Sequence, residues 1–417
     1  MIEIELYTPF AHQAAVHNAI TNHINTYIRG TEAFQKTFVV KAMRQVGKTA
    51  MATNELLRFA LERKTVNGYV APTLKLSKKT FREIKDLLVG TGLMKGYNGS
   101  DLIIEFINGS SINFFSAEQG DNLRGFTITG LLVIDEAAYI QDSIYEECLS
   151  PWTDFHKAIT LIISTPKFFM GFFYKLYMEG LLGQHSIESI DWSSYDVTYI
   201  RSEKMLAQKR RTLPALKFKA EYLGEFIEGE GTVFSRFDDL LINVNSVNNN
   251  KMHFGLDWGT GSGQDSTALV AFNGNGEMCY IWGTNTLSPV EQINKIIYII
   301  NSFGTKVVSF TAEENSIGKV YLDMLRKAKI KVKPFTTTNS SKRKLVEDLQ
   351  VAIEQKKIRI ADNETLKLQL ASYESKITNN MNVTYNAPSG MNDDYVIATL
   401  LAYRGFKYTG VYGISII

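Results

Sequence analysis

Residues 42–49 constrain the fold more than any other segment of this chain. They read Ala-Met-Arg-Gln-Val-Gly-Lys-Thr and lie between a short β-branched run, residues 37–40, and a helical pattern at residues 49–63. A strand, a loop ending in Gly-Lys-Thr and a helix predict a phosphate-binding loop, in which backbone N–H groups at the helix N-terminus face the phosphates. We expect Lys48 to reach the β- and γ-phosphates of a nucleotide and Thr49 to hold Mg²⁺.

This loop departs from the usual pattern at its first glycine, which is replaced by Ala42. The replacement is costly only if that position needs a positive φ, and it leaves the backbone donors of the loop in place. The alternative interpretation is a chance Gly-Lys-Thr at the start of an ordinary helix. Other strand ends in the same half of the chain favour the phosphate loop.

Two of these strand ends carry the chemistry that a nucleotide site needs. An apolar run at residues 131–134 ends in Asp135 and Glu136, and another at residues 161–163 ends in Ser164 and Thr165. We expect Asp135 to ligate Mg²⁺ and Glu136 to polarise the attacking water as general base. If the two strands are neighbours, Ser164 or Thr165 can sense the γ-phosphate, although a strand end with a turn proline explains them equally well.

The chain of 417 residues is long enough for two domains. In its first part, short β-branched or apolar runs alternate with helical patterns, which predicts an α/β domain with a mostly parallel sheet. The predicted strands there are residues 37–40, 68–71, 112–115, 131–134 and 160–163. Helices are predicted at residues 49–63 and 76–88.

The second part predicts a mixed sheet, because three consecutive strands joined by short turns favour hairpins. Its predicted strands are residues 254–257, 267–272, 278–282 and 307–313, and its predicted helices are residues 289–300 and 317–327. We interpret residues 229–250, which end in an asparagine-rich stretch, as a linker. The domains are then residues 1–228 and 251–417.

Carboxylates lie at the ends of several predicted elements in the second domain. They are Asp257, Asp265, Glu313, Glu314, Asp393 and Asp394. Acids from two strands and a helix start, dispersed in sequence, are typical of RNase H-like nucleases, which bind two Mg²⁺ or Mn²⁺ ions about 4 Å apart. Strand alternation points Glu314 away from Glu313, while either Asp393 or Asp394 could be the last ligand. No Cys/His cluster with zinc spacing is present in the sequence.

Composition limits the functional classes further. The net charge is only +2, so a nucleic-acid binder of this length must concentrate its positive charge locally. Cys148 and Cys279 are far apart in sequence and are interpreted as reduced thiols of a cytosolic protein. We expect neither a secretion signal nor a membrane anchor, since the chain has no long apolar run.

The order of the motifs resembles that of the large terminase subunits of tailed bacteriophages. The series is Arg-Gln-x-Gly-Lys-Thr at 44–49, Tyr-Val-Ala-Pro-Thr at 69–73, Leu-Arg-Gly at 123–125, Val-Ile-Asp-Glu-Ala at 133–137, Ser-Thr-Pro at 164–166 and Phe-Lys-Ala-Glu-Tyr-Leu-Gly-Glu-Phe at 218–226. The carboxylates of the second domain follow in the family's order, so the resemblance covers residues 13–403. It implies a P-loop ATPase domain of the ASCE type followed by an RNase H-like nuclease domain.

The resemblance also implies roles for single residues of the first domain. Gln13 matches the glutamine that reads adenine, Arg44 a nucleotide-sensing arginine, and Arg124 the arginine finger that one subunit inserts into its neighbour. An arginine suits this chemistry, because catalysis of phosphoryl transfer is mainly electrostatic. The full nucleotide site is then Gln13, Arg44, Gln45, Val46, Gly47, Lys48, Thr49, Asp135, Ser164 and Thr165.

In the second domain the family pattern assigns Asp257, Glu313 and the pair Asp393 and Asp394 as metal ligands, with Asp265 as an auxiliary ligand. Glu313 fits the family's Glu-x-Asn position. The family usually has histidine before the aspartate pair. Asn392 stands there instead and cannot exchange a proton, which weakens a general-base role. Lys342 lies where the family also has a lysine, and we expect it to contact DNA phosphates.

As a whole, the resemblance implies a motor that hydrolyses ATP to move double-stranded DNA into a viral capsid and cuts the concatemer. The implied cofactors are ATP and Mg²⁺, with Mn²⁺ also accepted at the nuclease site. The implied partners are double-stranded DNA, the portal protein, a small terminase subunit and further copies of the chain in a ring on the capsid. The isolated chain could be a monomer, and its place is the host cytoplasm and, transiently, the viral procapsid.

Two alternatives remain at this point. A host ATP-dependent helicase or repair nuclease would need helicase motifs after Pro166, and none is found in the sequence. A non-enzymatic assembly protein could retain a degenerate nucleotide loop, for which Ala42 would be the sign. ATP hydrolysis by the purified chain separates the second alternative from an ATPase.

Overall fold

The computed structural model describes residues 7–28, 35–184, 186–235, 237–248, 250–259, 265–314, 318–378 and 382–411. The chain divides into two compact units. The first comprises Met1–Ala207, Leu216–Gly229 and Asn379–Asn382, and the second comprises Gln208–Ala215, Glu230–Thr378 and Val383–Ile417. Each unit combines helices with one main sheet.

Eight strands form the sheet of the first unit. They are β1 Thr37–Lys41, β2 Val66–Ala71, β3 Met94–Asn98, β4 Ile103–Phe106, β5 Ser111–Ser116, β6 Leu131–Asp135, β7 Ile159–Ser164 and β8 Ile187–Asp191. Their order in space is β3-β4-β5-β2-β6-β7-β1-β8. The six strands from β5 to β8 in that order are parallel, and β3 and β4 add an antiparallel edge.

The helices up to residue 218 belong to the first unit, except for residues 208–215, which belong to the second. They are α1 Ala11–Ile28, α2 Lys48–Glu62, α3 Leu74–Leu88, α4 Asp142–Ile144, α5 Pro151–Asp154, α6 Phe172–Leu181, α7 Glu203–Thr212 and α8 Ala215–Phe218, with π-helical turns at Tyr145–Leu149 and Lys219–Leu223. Strands β6 and β7 are buried along their whole length. That burial explains their continuous apolar sequences, since a parallel sheet is covered on both faces.

The turn between β1 and α2 depends on one glycine. Gly47 has a φ of +83°, and a Cβ at this position would come within 2.5 Å of Gln13 Nε2. The backbone conformation favours glycine there, and a larger residue would also have to move the amide end of Gln13. Ala42 does not have a positive φ, so its replacement of the usual glycine causes no backbone strain.

A five-stranded mixed sheet is the centre of the second unit. Its strands are β11 Met252–Asp257, β12 Thr267–Phe272, β13 Met278–Thr284, β14 Val307–Glu313 and β15 Lys333–Phe335, in the order β13-β12-β11-β14-β15. β11, β12 and β13 pair antiparallel, whereas β14 is parallel to both β11 and β15. Shorter strands are β9 Gly231–Thr232, β10 Leu241–Ile242, β16 Ile360–Ala361, β17 Glu374–Ile377 and β18 Val383–Asn386.

The helices of this unit include α9 Pro289–Phe303, α10 Gly318–Lys327, α11 Asn339–Glu354, α12 Glu364–Ser372 and α13 Asp394–Val411. α13 packs directly on β11, where a Cβ added to Gly255 would come within 2.2 Å of the backbone of Ala398 and Ala402. This close approach fixes α13 against the strand that carries Asp257. The start of α13 therefore lies beside the end of β11.

The interval 229–250 is not the linker that the sequence predicts. Residues from Glu230 onward belong to the second unit, and Phe234 and Leu240 are buried in its core. Two short strands of this interval pair with the unit, β9 with β17 and β10 with β16. The prediction rested on the asparagines at the end of the interval, whereas the buried residues Phe234 and Leu240 precede that stretch.

The predicted fold class is confirmed, with a mostly parallel sheet in the first unit and a mixed sheet in the second. The predicted strands of both domains are present with similar bounds. The hairpin of β3 and β4 and the edge strand β8 were not predicted from the sequence. Cys148 and Cys279 are buried free thiols, and no helix in the described part of the chain is long and apolar enough to cross a membrane.

We predict a pH dependence from His253, which is buried on β11 and lies with its Nδ1 2.9 Å from Ser309 Oγ. Burial lowers its pKa from 6.5 to about 4. Between these two pKa values the unfolded chain binds a proton on His253 that the folded chain does not. The free energy of unfolding therefore falls as the pH drops below 6.5, by about 2 kcal/mol at pH 5. The free energy of unfolding, measured with urea at pH 7 and at pH 5, should differ less between the two pH values for His253→Gln than for wild type. Equal differences would contradict the assignment.

Candidate active sites

The phosphate loop lies at the carboxyl end of the parallel sheet in the first unit. Strand β1 leads into it, and its neighbour β7 ends beside it, with Lys41 opposite Ser164. Lys48 is buried, and its Nζ donates to Thr165 Oγ1 at 2.8 Å and to the Met43 carbonyl at 3.3 Å. The lysine is thus held across the loop, next to the end of β7.

Asp135 ends β6 and is buried beside the loop. Its Oδ2 accepts hydrogen bonds from Thr49 Oγ1 at 2.7 Å and from the Tyr69 hydroxyl at 2.8 Å. Thr80 Oγ1 lies a further 3.2 Å from the Tyr69 hydroxyl. The geometry brings together the two residues predicted to hold Mg²⁺ and adds Tyr69, whose role sequence reasoning missed. The available signal was its place in the Tyr-Val-Ala-Pro-Thr motif.

Glu136 follows in a strained conformation. Its φ of +50° is unusual for a residue with a side chain, and such strain is concentrated at functional positions. Glu136 Oε1 lies 3.8 Å from Lys48 Nζ. Burial raises the pKa of Glu136, while the charge of Lys48 and a hydrogen bond from the Thr165 backbone lower it. A raised pKa makes a carboxylate a better proton acceptor, which suits a general base.

The two hydroxyl residues at the end of β7 differ in their contacts. Ser164 Oγ accepts from the Ala138 N–H at 3.1 Å and donates to the Thr165 carbonyl at 3.0 Å. These bonds fix the turn that follows Glu136. Thr165, in contrast, contacts Lys48 through its hydroxyl and Glu136 through its backbone. Of the two, Thr165 is placed to respond to a γ-phosphate.

Helix α1 is hydrogen-bonded to the phosphate loop. Gln13 is buried, and its Nε2 donates to the Gly47 carbonyl at 3.1 Å while its Oε1 accepts from the Phe10 N–H at 2.9 Å. His12 Nε2 lies 2.9 Å from the Val46 carbonyl. Gln13 therefore lies next to the phosphate loop, and its predicted contact with adenine stays a prediction. His12 was missed, because a lone histidine on a helix has no sequence signal.

Arg44 and Gln45 shape the exposed side of the loop. Arg44 pairs with Glu221 through its guanidinium at 2.9 Å, and its backbone N–H donates to the Glu221 carbonyl at 2.7 Å. Gln45 has a positive φ of 62°. The segment around Glu221, which resembles the family's domain-closing segment, is thus docked on the loop. Near it lies a cavity of about 530 Å³, lined in part by Arg44, Glu136 and Glu221.

Arg124 lies on the surface of the same unit. Its side chain is 57% exposed and pairs with Glu147 at 2.6 Å and with Asp121 at 3.2 Å. The neighbouring charges of Asp121 and Glu147 raise its pKa. An arginine that acts on another subunit must be exposed in the isolated chain, and this one is.

In the second unit, Asp257 and Glu313 meet at the ends of two neighbouring parallel strands. Leu256 pairs with Ala312 in the register, so the two acids follow side by side. Their side chains are hydrogen-bonded to each other, and burial, followed by the charge of Glu313, raises the pKa of Asp257 well above its usual range. The negative charge of Glu313 disfavours the charged form of Asp257, as expected for two carboxylates this close together. Glu314 instead accepts from Thr336 Oγ1 at 3.3 Å.

Asp393 and Asp394, at the start of α13, have different partners. Asp393 Oδ2 lies 3.2 Å from Lys342 Nζ. Asp394 Oδ2 accepts from the Ser266 N–H at 2.9 Å, and burial raises its pKa to about 6. The charges of both aspartates raise the pKa of Asp257, so both lie near it. Asp265 is exposed and acts on the pKa of Asp394.

The structure therefore brings the predicted metal ligands together only in part. Asp257 and Glu313 form a pair, whereas Asp393 and Asp394 are held by Lys342 and by the Ser266 backbone. Within the part of the chain that the structure describes, no three His, Cys, Asp or Glu side chains form a ready-made metal-binding group. Asn315, which completes the Glu-x-Asn pattern, lies outside the described residues.

Two family models match this chain. One, described as the N-terminal part of a T4likevirus-type terminase large subunit, covers residues 41–239, and the other, described as a terminase RNaseH-like domain, covers residues 254–405. The chain belongs to the large terminase subunits. Together the two models span most of the sequence, in the order found in the structure.

Individual relatives agree with this assignment. The chain is 24% identical over 318 residues to the large terminase subunit of Thermus phage G20c, covering 70% of this chain and 64% of that protein. It thus matches less than two thirds of the length of this relative. The large terminase from a thermophilic bacteriophage has the same fold, with a TM-score of 0.59 at 14% identity over 97% of this chain and 99% of that chain. The same protein in complex with ADP gives a TM-score of 0.57 at 16% identity over 94% and 98% of the two chains.

We predict that Tyr69→Phe lowers ATP hydrolysis roughly 10- to 100-fold, the range typical for losing a residue that orients a metal-holding side chain. The variant removes the donor to Asp135 while keeping the buried ring. Steady-state hydrolysis and binding of a fluorescent ATP analogue at varied Mg²⁺ would test it. The Mg²⁺ concentration for half-maximal rate should rise. Thr80→Val, which removes only the outer contact, should have a smaller effect.

Proposed function

We propose that this chain is the motor and nuclease subunit of a viral DNA-packaging machine. It hydrolyses ATP to translocate double-stranded DNA into a capsid and cuts concatemeric DNA. The observation that carries the proposal is the presence of two acidic sites at strand ends, one in each compact unit, in the order of the large terminase family. We assign the ATPase domain to residues 1–228 and the nuclease domain to residues 251–417, with residues 230–250 packed on the nuclease side.

Support for ATP as the nucleotide comes from the loop geometry and from the thermophilic-phage terminase of the same fold, which is described in complex with ADP. Thr49 and Asp135 are 2.7 Å apart and lie together beside the loop, so they fit a small hard cation. When bound, Mg²⁺ would neutralise charge on the β- and γ-phosphates. Lys48 would exchange its bond with Thr165 for the phosphates, and Glu136 would accept the proton of the attacking water.

Other residues of the first unit complete this proposal. Gln13 would contact adenine, and Arg44, Gln45, Val46 and Gly47 would surround the phosphates. Thr165 rather than Ser164 would sense the γ-phosphate, because the Ser164 hydroxyl is committed to the turn after Glu136. Arg124 would act on a neighbouring copy in a ring, in keeping with its exposed position.

The second site fits divalent cations by the chemistry of its donors. Asp257 and Glu313 end neighbouring strands, and a cation would relieve the repulsion between them. The charges of Asp393 and Asp394 raise the pKa of Asp257, and the charge of Asp265 raises that of Asp394, so these aspartates are the further oxygen ligands that we propose. Two Mg²⁺ or Mn²⁺ ions, when bound, would supply an activated water and stabilise the leaving oxygen. The role of the chain is to hold these oxygens on two strands and a helix start. Lys342, next to Asp393, would contact a DNA phosphate.

The family also supports the setting of this activity. The partners we propose are double-stranded DNA, a portal protein, a small terminase subunit and further copies of this chain in a ring on the capsid. The work would take place in the host cytoplasm, transiently on the viral procapsid. Neither the portal nor the small subunit is needed for the two tests that follow.

For the ATPase site, we predict that Lys48→Ala or Glu136→Gln abolishes ATP hydrolysis but leaves metal-dependent nicking of plasmid DNA. Lys48 holds the phosphates and Glu136 accepts the proton, and neither contributes to the second unit. Both activities would be measured on the same preparations. Hydrolysis by Glu136→Gln at the wild-type rate would show that the general base is another group.

For the nuclease site, we predict that Asp257→Ala and Glu313→Ala stop nicking while ATP hydrolysis persists. Glu314→Ala is the matched control, because this neighbouring carboxylate contacts Thr336 and not Asp257. It should nick plasmid at close to the wild-type rate. Asp393→Asn and Asp394→Asn should differ from each other, since their contacts differ. Loss of nicking in Glu314→Ala alone would reverse the assignment of the ligand.

A further inference from the structure

Lys342, proposed above to contact a DNA phosphate, has contacts within the protein that this role does not explain. Lys342 Nζ lies 3.2 Å from Asp393 Oδ2 and 3.0 Å from Asn386 Oδ1. It also lies 5.7 Å from the centre of the Tyr373 ring, whose residue is fully buried. The lysine is 17% exposed and Asp393 is 27% exposed, so the pair is only partly open to solvent.

This ion pair does not help the helix that carries it. Lys342 lies near the start of α11 (Asn339–Glu354), where its N–H donates to the carbonyl of the capping residue Thr338. The N-terminus of a helix carries partial positive charge, which disfavours a cation in its first turn. The position of Lys342 is therefore explained by its ion pair with Asp393 and not by the stability of α11.

Asp393 is one of the carboxylates proposed to bind metal, and its charge is among those that act on Asp257, the neighbour of Glu313. Lys342 supplies a positive charge to this acidic group when no cation is bound. A divalent cation that binds Asp393 Oδ2 competes with the ammonium group for the same oxygen, and its two positive charges repel the lysine. An ammonium released from Asp393 is free to bind another anion.

We infer that Lys342 is an exchangeable counter-ion of the nuclease site, which a divalent cation displaces from Asp393 so that the lysine then binds a DNA phosphate. This inference rests on the proposed function. It goes further because it makes the binding of the cation and the binding of DNA depend on each other. By linkage, a cation that raises DNA affinity must have its own affinity raised by DNA to the same degree.

The first test is cation binding without DNA or nucleotide. Mn²⁺ would be titrated into the full chain and free Mn²⁺ followed by electron paramagnetic resonance. Asp257→Ala would serve to subtract ions bound elsewhere. Lys342→Met removes the competing charge, so it should bind Mn²⁺ more tightly, by roughly five-fold or more. Lys342→Gln, which keeps a hydrogen-bonding group, should behave likewise and covers the case in which the methionine variant does not fold.

The second test is DNA affinity with and without a cation that supports binding but not cutting. A short fluorescein-labelled duplex would be titrated with the full chain in Ca²⁺ or in a chelator, by fluorescence anisotropy. Ca²⁺ should tighten binding in wild type, and Lys342→Met should lose a large part of that gain. Lys344→Met is the matched control, since this lysine lies on the same helix and is not paired with Asp393. It should keep the gain in affinity from Ca²⁺ at the wild-type size.

These outcomes separate the inference from the proposed function. If wild type binds no Mn²⁺ that Asp257→Ala loses, the proposed metal site itself fails. If wild type binds Mn²⁺ but Lys342→Met binds it equally or more weakly, Lys342 is not a competing counter-ion. An unchanged gain from Ca²⁺ in Lys342→Met would overturn the coupling, leaving the lysine with a structural role through Asn386 alone.

Discussion

The parallel pairing of neighbouring strands determines where the chemistry of this chain lies. In a parallel pair, carboxyl ends meet at the same edge, so residues that end neighbouring strands become neighbours. In the first unit this brings Asp135 on β6 opposite Ile163 on β7, directly before Ser164 and Thr165. In the second it brings Asp257 on β11 beside Glu313 on β14. Both candidate sites depend on this single constraint.

The burial that stabilises these sheets also sets the charge state of the acids. Carboxylates at buried strand ends are poorly solvated, so each needs a hydrogen bond, a proton or a cation. Asp135 obtains two hydroxyl donors, while burial and the charge of Glu313 raise the pKa of Asp257 and so favour its protonated form. Asp393, which directly precedes α13, pairs with Lys342 instead.

Much of the fold could be read from the sequence, because its signals are local. The phosphate loop requires Gly47 at a positive φ, and β6 and β7 require continuous apolar runs, so each of these elements is visible in a few residues. The resemblance to the terminases then supplied the identity of the second domain. The prediction failed at residues 229–250, where Phe234 and Leu240 pack into a core formed by residues far away in sequence.

The sequence by itself therefore determined which acids, hydroxyls and glycines stand at strand ends, and in what order. Only the tertiary structure decided their partners. Tyr69 reaches Asp135 across 66 positions and Lys342 reaches Asp393 across 51, and no pattern of neighbouring residues encodes such pairings. The tertiary structure also gave Ser164 and Thr165 different partners, and likewise Glu313 and Glu314. The sequence could not decide these partners, because the direction of a side chain depends on what packs around it.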